Sequence, residues 1–243
     1  SPRYIEFVDH LKVYITCWDN TVKVFNTDGS EYIGQIAVGS GPEKMLKVGN
    51  ALWVLNQGGF TVDSTVSVIN TDTDEVIHTL QVYPKPSGIQ LDDNGLVWVL
   101  CSGKGWNGFP AADDSEAHLL CIDPGDYSIV KDFAFPNTSE HPEKLLINME
   151  GDMLYYNHID GIYRFDVHGN ELESAPFVKR GVMFYGLGFD QEANYLYASD
   201  PLDYVQNGMV YRYNAVNGSL VDSLQAGIIP GEFYFTRLSA TEK

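Results

Sequence analysis

The amino-acid sequence predicts an all-β protein, a β-propeller of four-stranded blades, on three observations. Short strands recur in groups of four, and within them apolar residues alternate with polar ones, as a half-buried pleated strand requires. The groups open with proline at positions 2, 42, 86, 142 and 230. The intervals are 40, 44, 56 and 88 residues; the third group holds a long middle loop, and 88 is two intervals of 44. A period of about 40 to 45 residues with four short strands is that of a propeller blade. Aromatic residues make up 13% of the chain, with 15 Tyr and 12 Phe, and flat rings pack well across pleated surfaces. Solenoid repeats are mostly shorter or helical, and a sandwich would not keep a proline-led start, so both are disfavoured.

Each group follows from its own residues. The first, from Pro2 to Val38, reads PRYIEFV, KVYITCW, TVKVF and YIGQIAV between short polar connections. The second opens with PEKMLKV and shows the repeat most plainly. Its strand Leu52-Trp53-Val54-Leu55 enters a glycine-bearing loop from Asn56 to Ser64, strand Thr65 to Ile69 follows, and the turn Asn70 to Asp74 leads into Val76 to Leu80. The third group contains PSGIQL, LVWVLC, AHLLCI and IVKDFAF, and the fourth PEKLLIN, DMLYYN, GIYRFD and the more polar ELESAPFV. The fifth, which has lost its proline near Phe184, reads FYGLGF, YLYASD, MVYRYN and LVDSLQA, and a sixth start reads PGEFYF. The expected organisation is a single propeller domain over residues 1–235, with blades near 2–38, 42–82, 86–135, 142–178 and 184–226, one further strand at 230–235, and a polar tail at 236–243.

Composition bounds the function. Fifteen Lys and Arg against 33 Asp and Glu give a formal charge of −18, a field that repels phosphate polymers and anionic headgroups, so nucleic acid is not an expected partner. The simplest reading of the charge is a solvated, non-adhesive surface. Three cysteines, Cys17, Cys101 and Cys121, fit neither a disulfide framework nor a zinc site and read as buried thiols. No apolar run approaches the roughly 20 residues of a membrane-spanning helix, and no signal peptide is read at the start.

Loop lengths place the candidate site. In a four-stranded blade the connections from strand two to three, and from strand four to the next blade, share one face. The turns expected on the other face, such as 48–50, 92–95, 26–30 and 214–218, are short and made of ordinary turn formers. The long connections Asn56 to Ser64, Ser102 to Glu116 and Ser199 to Gly208 fall on the first face, where function usually gathers. There the sequence offers Trp106 and Phe109 in the third blade's loop, Trp18 and Asp19 at the first hairpin, and Asp200 and Tyr204 in the last long loop. Residues after each opening proline are expected near the axis: Arg3 and Tyr4, Glu43 and Lys44, Ser87, Glu143 and Lys144, Tyr185, Glu232 and Phe233. Of six histidines, only His141 and His158 map to this face. A ring of aromatic and polar groups suits a large amphipathic ligand. The alternatives are that Trp106 and Phe109 tuck under their own loop, and that Lys44 and Lys144 make ion pairs with neighbouring glutamates. No nucleophile elbow, phosphate loop or zinc signature occurs, and Asn70 to Asp74 lacks the glycine and glutamate of a calcium loop. No catalytic residue, cofactor or metal is therefore expected.

The starts PRYIEF, PEKMLK, PSGIQL and PEKLLI, the strands VYIT and LWVL, and the phrases TVKVFNTDG, STVSVINTDTDEVIHTL and IPGEFYF resemble YVTN-type repeats, most of all the YncE-like "surface layer" propellers of gut anaerobic bacteria. That group includes outer-membrane lipoproteins that capture cobamides, vitamin B12 and its relatives, beside a TonB-dependent transporter. The resemblance implies seven blades, of which this sequence supplies five and one strand, and so about 80 residues of further blade at this period, on more of this chain or on a second chain. Two open blade walls would each show on the order of 500 Å² of apolar surface. It also implies a non-enzymatic, cell-surface binding propeller, lipoprotein or secreted, for a bulky small ligand such as a cobamide. Two alternatives stay open: a platform that docks a membrane protein partner, and a lactonase or lyase with a metal held by carboxylates at the axis.

Overall fold

The computed structural model describes residues 1–181 and 183–236. Among them there is no α-helix, and twenty strands form five antiparallel sheets of four, each in chain order. The first blade is β1 (Pro2–Phe7), β2 (Lys12–Cys17), β3 (Thr21–Asn26) and β4 (Tyr32–Ala37); the second is β5 (Pro42–Val48), β6 (Ala51–Asn56), β7 (Thr65–Asn70) and β8 (Glu75–Gln81). The third is β9 (Pro86–Leu91), β10 (Val97–Cys101), β11 (His118–Ile122) and β12 (Ile129–Ala134). The fourth is β13 (Glu143–Ile147), β14 (Met153–His158), β15 (Gly161–Asp166) and β16 (Val178–Lys179), and the fifth is β17 (Gly186–Asp190), β18 (Tyr195–Asp200), β19 (Asn207–Asn214) and β20 (Leu220–Ile228). These are propeller blades. The chain falls into two compact units, Ser1–Leu145 and Leu146–Lys243.

In the first unit the period of two buries both faces of the second blade. Leu52 and Val54 of β6 pack with Tyr14, Val22 and Val24 of the first blade, while Trp53 and Leu55 join Ile89, Val97, Val99 and Leu120 of the third. Each such fully buried aliphatic side chain contributes about 1.5–3 kcal/mol. Close approach needs glycine at Gly88, where a Cβ would strike the side chain of Leu145. On the side of the short turns, Lys12 Nζ donates to Thr71 O at 2.7 Å and to Asp74 at 2.8 Å, and the Tyr14 hydroxyl donates to the same carboxylate. Burial, reinforced by Asp74, pushes the Tyr14 phenol above its ordinary value.

Strand connections use one device repeatedly. An Asp or Asn at the end of a strand turns its side-chain oxygen back onto the next backbone N–H groups: Asp9 accepts from Leu11 and Lys12, Asp92 from Asn94 and Leu96, Asn148 from Asp152 and Met153, Asp190 from Glu192 and Ala193, and Asn214 from Val216 and Asn217. This satisfies donors the ladder leaves over. Cys17, Cys101 and Cys121 are free and buried, and burial pushes the Cys121 thiol up to about 12.

Two expectations for the second unit are corrected. The stretch ELESAPFV contributes only Val178–Lys179 as a strand, so the connection between β15 and β16 runs over residues 167–177 and is not a short turn. Its composition explains this: Pro176 lacks an N–H for the ladder, and Phe177 instead covers Tyr155 at 5.8 Å, with the Arg164 guanidinium 4.6 Å above its ring. The phrase PGEFYF is not a strand. It lies against the fifth blade, where Phe233 and Phe235 sit 5.8 and 5.2 Å from the Tyr197 ring and a Cβ on Gly188 would strike Phe233. Phe233 is half-buried there, while Tyr234 and Phe235 are exposed. Of the expected polar tail, residues 237–243 lie outside the described residues.

Candidate functional site

The first unit holds a cavity of about 200 Å³ built at the end of the sheets where the long connections emerge. Its floor comes from strand starts. Arg3 and Tyr4 of β1, Glu43 and Lys44 of β5, Ser87 of β9, and Glu143 and Lys144 of β13 all line it. Connections supply the rest: Gln57 and Gly59 from 57–64, Lys85 before β9, Ser102, Gly105, Trp106 and Asn107 from 102–117, and His141 before β13.

One ion pair closes part of the floor. Arg3 Nε donates to Glu43 Oε1 at 2.9 Å, and Trp18 Nε1 donates to the same oxygen at 2.7 Å. The Arg3 guanidinium also lies 4.3 Å over the Trp18 ring. Arg3 and Glu43 thus form an ion pair between the first and second blades that the sequence reading did not name.

The 102–117 loop is tied down on both flanks. Asn107 and His141 exchange side-chain and backbone bonds, Nδ2 to His141 O at 2.8 Å and His141 N to Oδ1 at 3.0 Å. Gly103 N donates to Pro84 O at 3.0 Å, and Ser102 N to Lys85 O at 2.9 Å. Gly105 has φ +138°, and a Cβ there would strike His141 Nε2 and the Asp114 carboxylate, so only glycine fits. His141, 2% exposed, lies 2.8 Å from the Ser102 carbonyl through Nδ1. A carbonyl only accepts, so Nδ1 carries the proton. Nε2 is left buried against Gly105, 3.9 Å from Asp114 Oδ2 and without a hydrogen-bond partner.

Lys85 has φ +55°, a left-handed backbone that costs a non-glycine residue about 1–2 kcal/mol. Its Nζ donates to Gly105 O at 2.9 Å and lies 4.0 Å over the Trp106 ring. Burial pushes this ammonium below its ordinary value, with Glu143 and Asp114 pulling the other way. Lys144 is left-handed too, at φ +62°. Ser87 and Ser102 hold their hydroxyls 2.6 Å apart, and Ser102 Oγ donates to Pro142 O at 2.7 Å. Four cationic residues and two carboxylates line the cavity, in a chain whose net charge is −18.

The structure thus brings Arg3, Tyr4, Glu43, Lys44, Ser87, Trp106, Glu143 and Lys144 to one cavity. Trp18 stands behind, bonded to Glu43. Asp19 does not line it; this exposed carboxylate pairs with Lys23 at 3.1 Å and accepts from Thr21 at 2.6 Å, because the hairpin turns it outward. Phe109 is 79% exposed and Trp106 67%, so neither ring tucks under its loop. Five expected residues belong to the second unit. His158 is buried there, 5.0 Å from the Tyr163 ring; Tyr185 and Tyr204 meet edge to face at 6.0 Å; Asp200 pairs with Arg180; and Phe233 packs on Tyr197. Lys85, Ser102 and Asn107 were not named as candidates, while His141 had been mapped to this face but not counted among the binding residues. The proline after Lys85 marks a strand start and could have flagged it.

No protein-family model matches the chain, and no curated protein matches it significantly. Among solved structures it is similar to the Kuenenia stuttgartiensis hydrazine synthase, a propeller-containing protein, with a TM-score of 0.66 and 18% identity. The likeness covers 88% of this chain and 62% of that one, so the chain spans less than two thirds of that neighbour's length, and it shows the fold.

Proposed function

We propose that the protein is a binding propeller that seats a small molecule in the cavity of its first unit without transforming it. The observation that carries this reading is the convergence of strand starts and long connections from successive blades on one cavity, roofed by the exposed Trp106 ring. The polar groups there are held in place by one another: Ser102 gives its proton to a carbonyl, and Glu43 is held by Arg3 and Trp18. Such fixed groups favour recognition over proton transfer. A cobamide is the ligand suggested by the repeat phrases, captured at a cell surface for an outer-membrane transporter. At about 200 Å³ the cavity is smaller than a corrinoid, so the ligand would place one projecting group inside and lay its body across Trp106.

Titration calorimetry with cyanocobalamin tests this. Binding is expected, and Trp106→Ala should weaken it at least fivefold, about 1 kcal/mol. Absence of heat with the wild-type chain would remove the cobamide. A protein-docking platform is the second reading, favoured by the exposed rings of Phe60, at 94%, and Phe109 beside the cavity's loops. A partner lost on shortening 102–116 would support it.

A further inference from the structure

We infer that the cavity seats a neutral six-membered-ring sugar, free or as the end residue of a glycan; the inference rests on the reading that this cavity binds a small ligand, and not on the cobamide. Its first support is that the charges of the lining are met within the protein. Arg3 is closed on Glu43, Lys85 faces both Glu143 and Asp114, Lys44 lies 5.9 Å over the Tyr4 ring, and Lys144 has contacts of its own. With Asp114 counted, four cationic side chains stand against three carboxylates. A lining so nearly balanced suits an uncharged polar ligand.

The second support is what remains free to bond. Gln57 and Glu143 line the cavity half-buried, and among the described residues neither side chain makes a hydrogen bond. An ionised carboxylate accepts from two neighbouring hydroxyls at once, and a carboxamide both donates and accepts. Lys85 Nζ spends one of its protons on Gly105 O at 2.9 Å and keeps the others. Hydroxyls side by side on a ring supply the donors and acceptors that these three groups lack. The third support is Trp106, which is 67% exposed at the cavity with Lys85 Nζ 4.0 Å over one face, so its other face is open. The electron-rich face of an indole takes the weakly positive C–H groups that a sugar ring shows on one side. Beside it, the two bonds between Asn107 and His141 fix the loop before any ligand arrives. The size agrees, because about 200 Å³ takes one such ring.

The test uses the full chain and follows calorimetric heat and tryptophan emission. Glucose, galactose, mannose and N-acetylglucosamine, their methyl glycosides, and cyanocobalamin are titrated separately. Saturable binding of at least one sugar is expected; binding of its methyl glycoside as well assigns the end residue of a glycan, and binding of the free sugar alone assigns a free monosaccharide. Trp106→Ala should weaken the sugar about fivefold and Glu143→Gln about tenfold, while Tyr32→Ala, which removes an exposed ring from β4, should leave the affinity unchanged. Equal weakening by all three variants, or by none, overturns the proposal. If a site variant does not fold, the wild-type Kd decides: for an uncharged ligand it stays constant in sodium chloride from about 0.05 to 0.5 M, and a Kd that climbs with salt overturns the proposal. Cyanocobalamin binding with no response to any sugar sinks the sugar site and spares the binding function. Sugar binding without cyanocobalamin removes the cobamide alone, and silence from every probe removes both the sugar site and the binding function.

Discussion

Lys85 shows how one residue can be costly to the fold and useful to the site. Its ammonium sits between the Gly105 carbonyl and the Trp106 face, and burial holds its pKa below the ordinary lysine value. The carboxylates facing it, Glu143 and Asp114, only partly offset that burial. A base with a depressed folded pKa binds fewer protons than the unfolded chain in the window between the two values. Stability must therefore rise with pH across that window, up to the ordinary lysine value of about 10.4, and be lowest where both states are protonated. Urea unfolding of the wild type and of Lys85→Met between neutral pH and that limit should show the wild type gaining on the variant as pH rises. A constant difference would mean that the ammonium is fully hydrated in the folded protein.

At the scale of the element, the Asp and Asn turns carry the blade's geometry. Asp92 does more than its counterparts, since it accepts from Asn94 N at 2.9 Å, from Leu96 N at 2.8 Å and from the buried Trp98 indole at 2.8 Å. Asp92→Ala would strand that indole in the core and should cost about 2–3 kcal/mol, against about 1 kcal/mol for Asp190→Ala, which frees only backbone donors. Equal losses in urea unfolding would show that the indole finds another acceptor. The same turns made the blades legible in the sequence, because an alternating run closed by a turn former has few other solutions. Where alternation was weak, legibility ended. ELESAPFV has apolar residues but also a proline and two glutamates, and PGEFYF has strand-like rings that pack on Tyr197 without joining the ladder, so packing decided both. For the site, the residue after the opening proline was legible in the first unit, since it recurs at the cavity in each strand start there. Lys85, Ser102 and Asn107 were not, because they sit in connections whose lengths differ and whose meeting depends on tertiary bonds such as the Asn107–His141 exchange.

Over the whole molecule, the net charge sets how stability responds to salt. A net charge of −18 on 243 residues repels itself through the solvent, and that repulsion reaches about 30 Å at 0.01 M salt but only about 8 Å at 0.15 M. Raising sodium chloride across this range should therefore stabilise the fold, by about 1 kcal/mol, or about 2–4 °C in Tm for a chain this size. A thermal melt series in sodium chloride on one sample measures this. A Tm that falls with salt would place the dominant electrostatics in the paired groups, Arg3–Glu43, Lys12–Asp74 and Arg180–Asp200, which screening weakens, and not in the long-range repulsion that the composition implies.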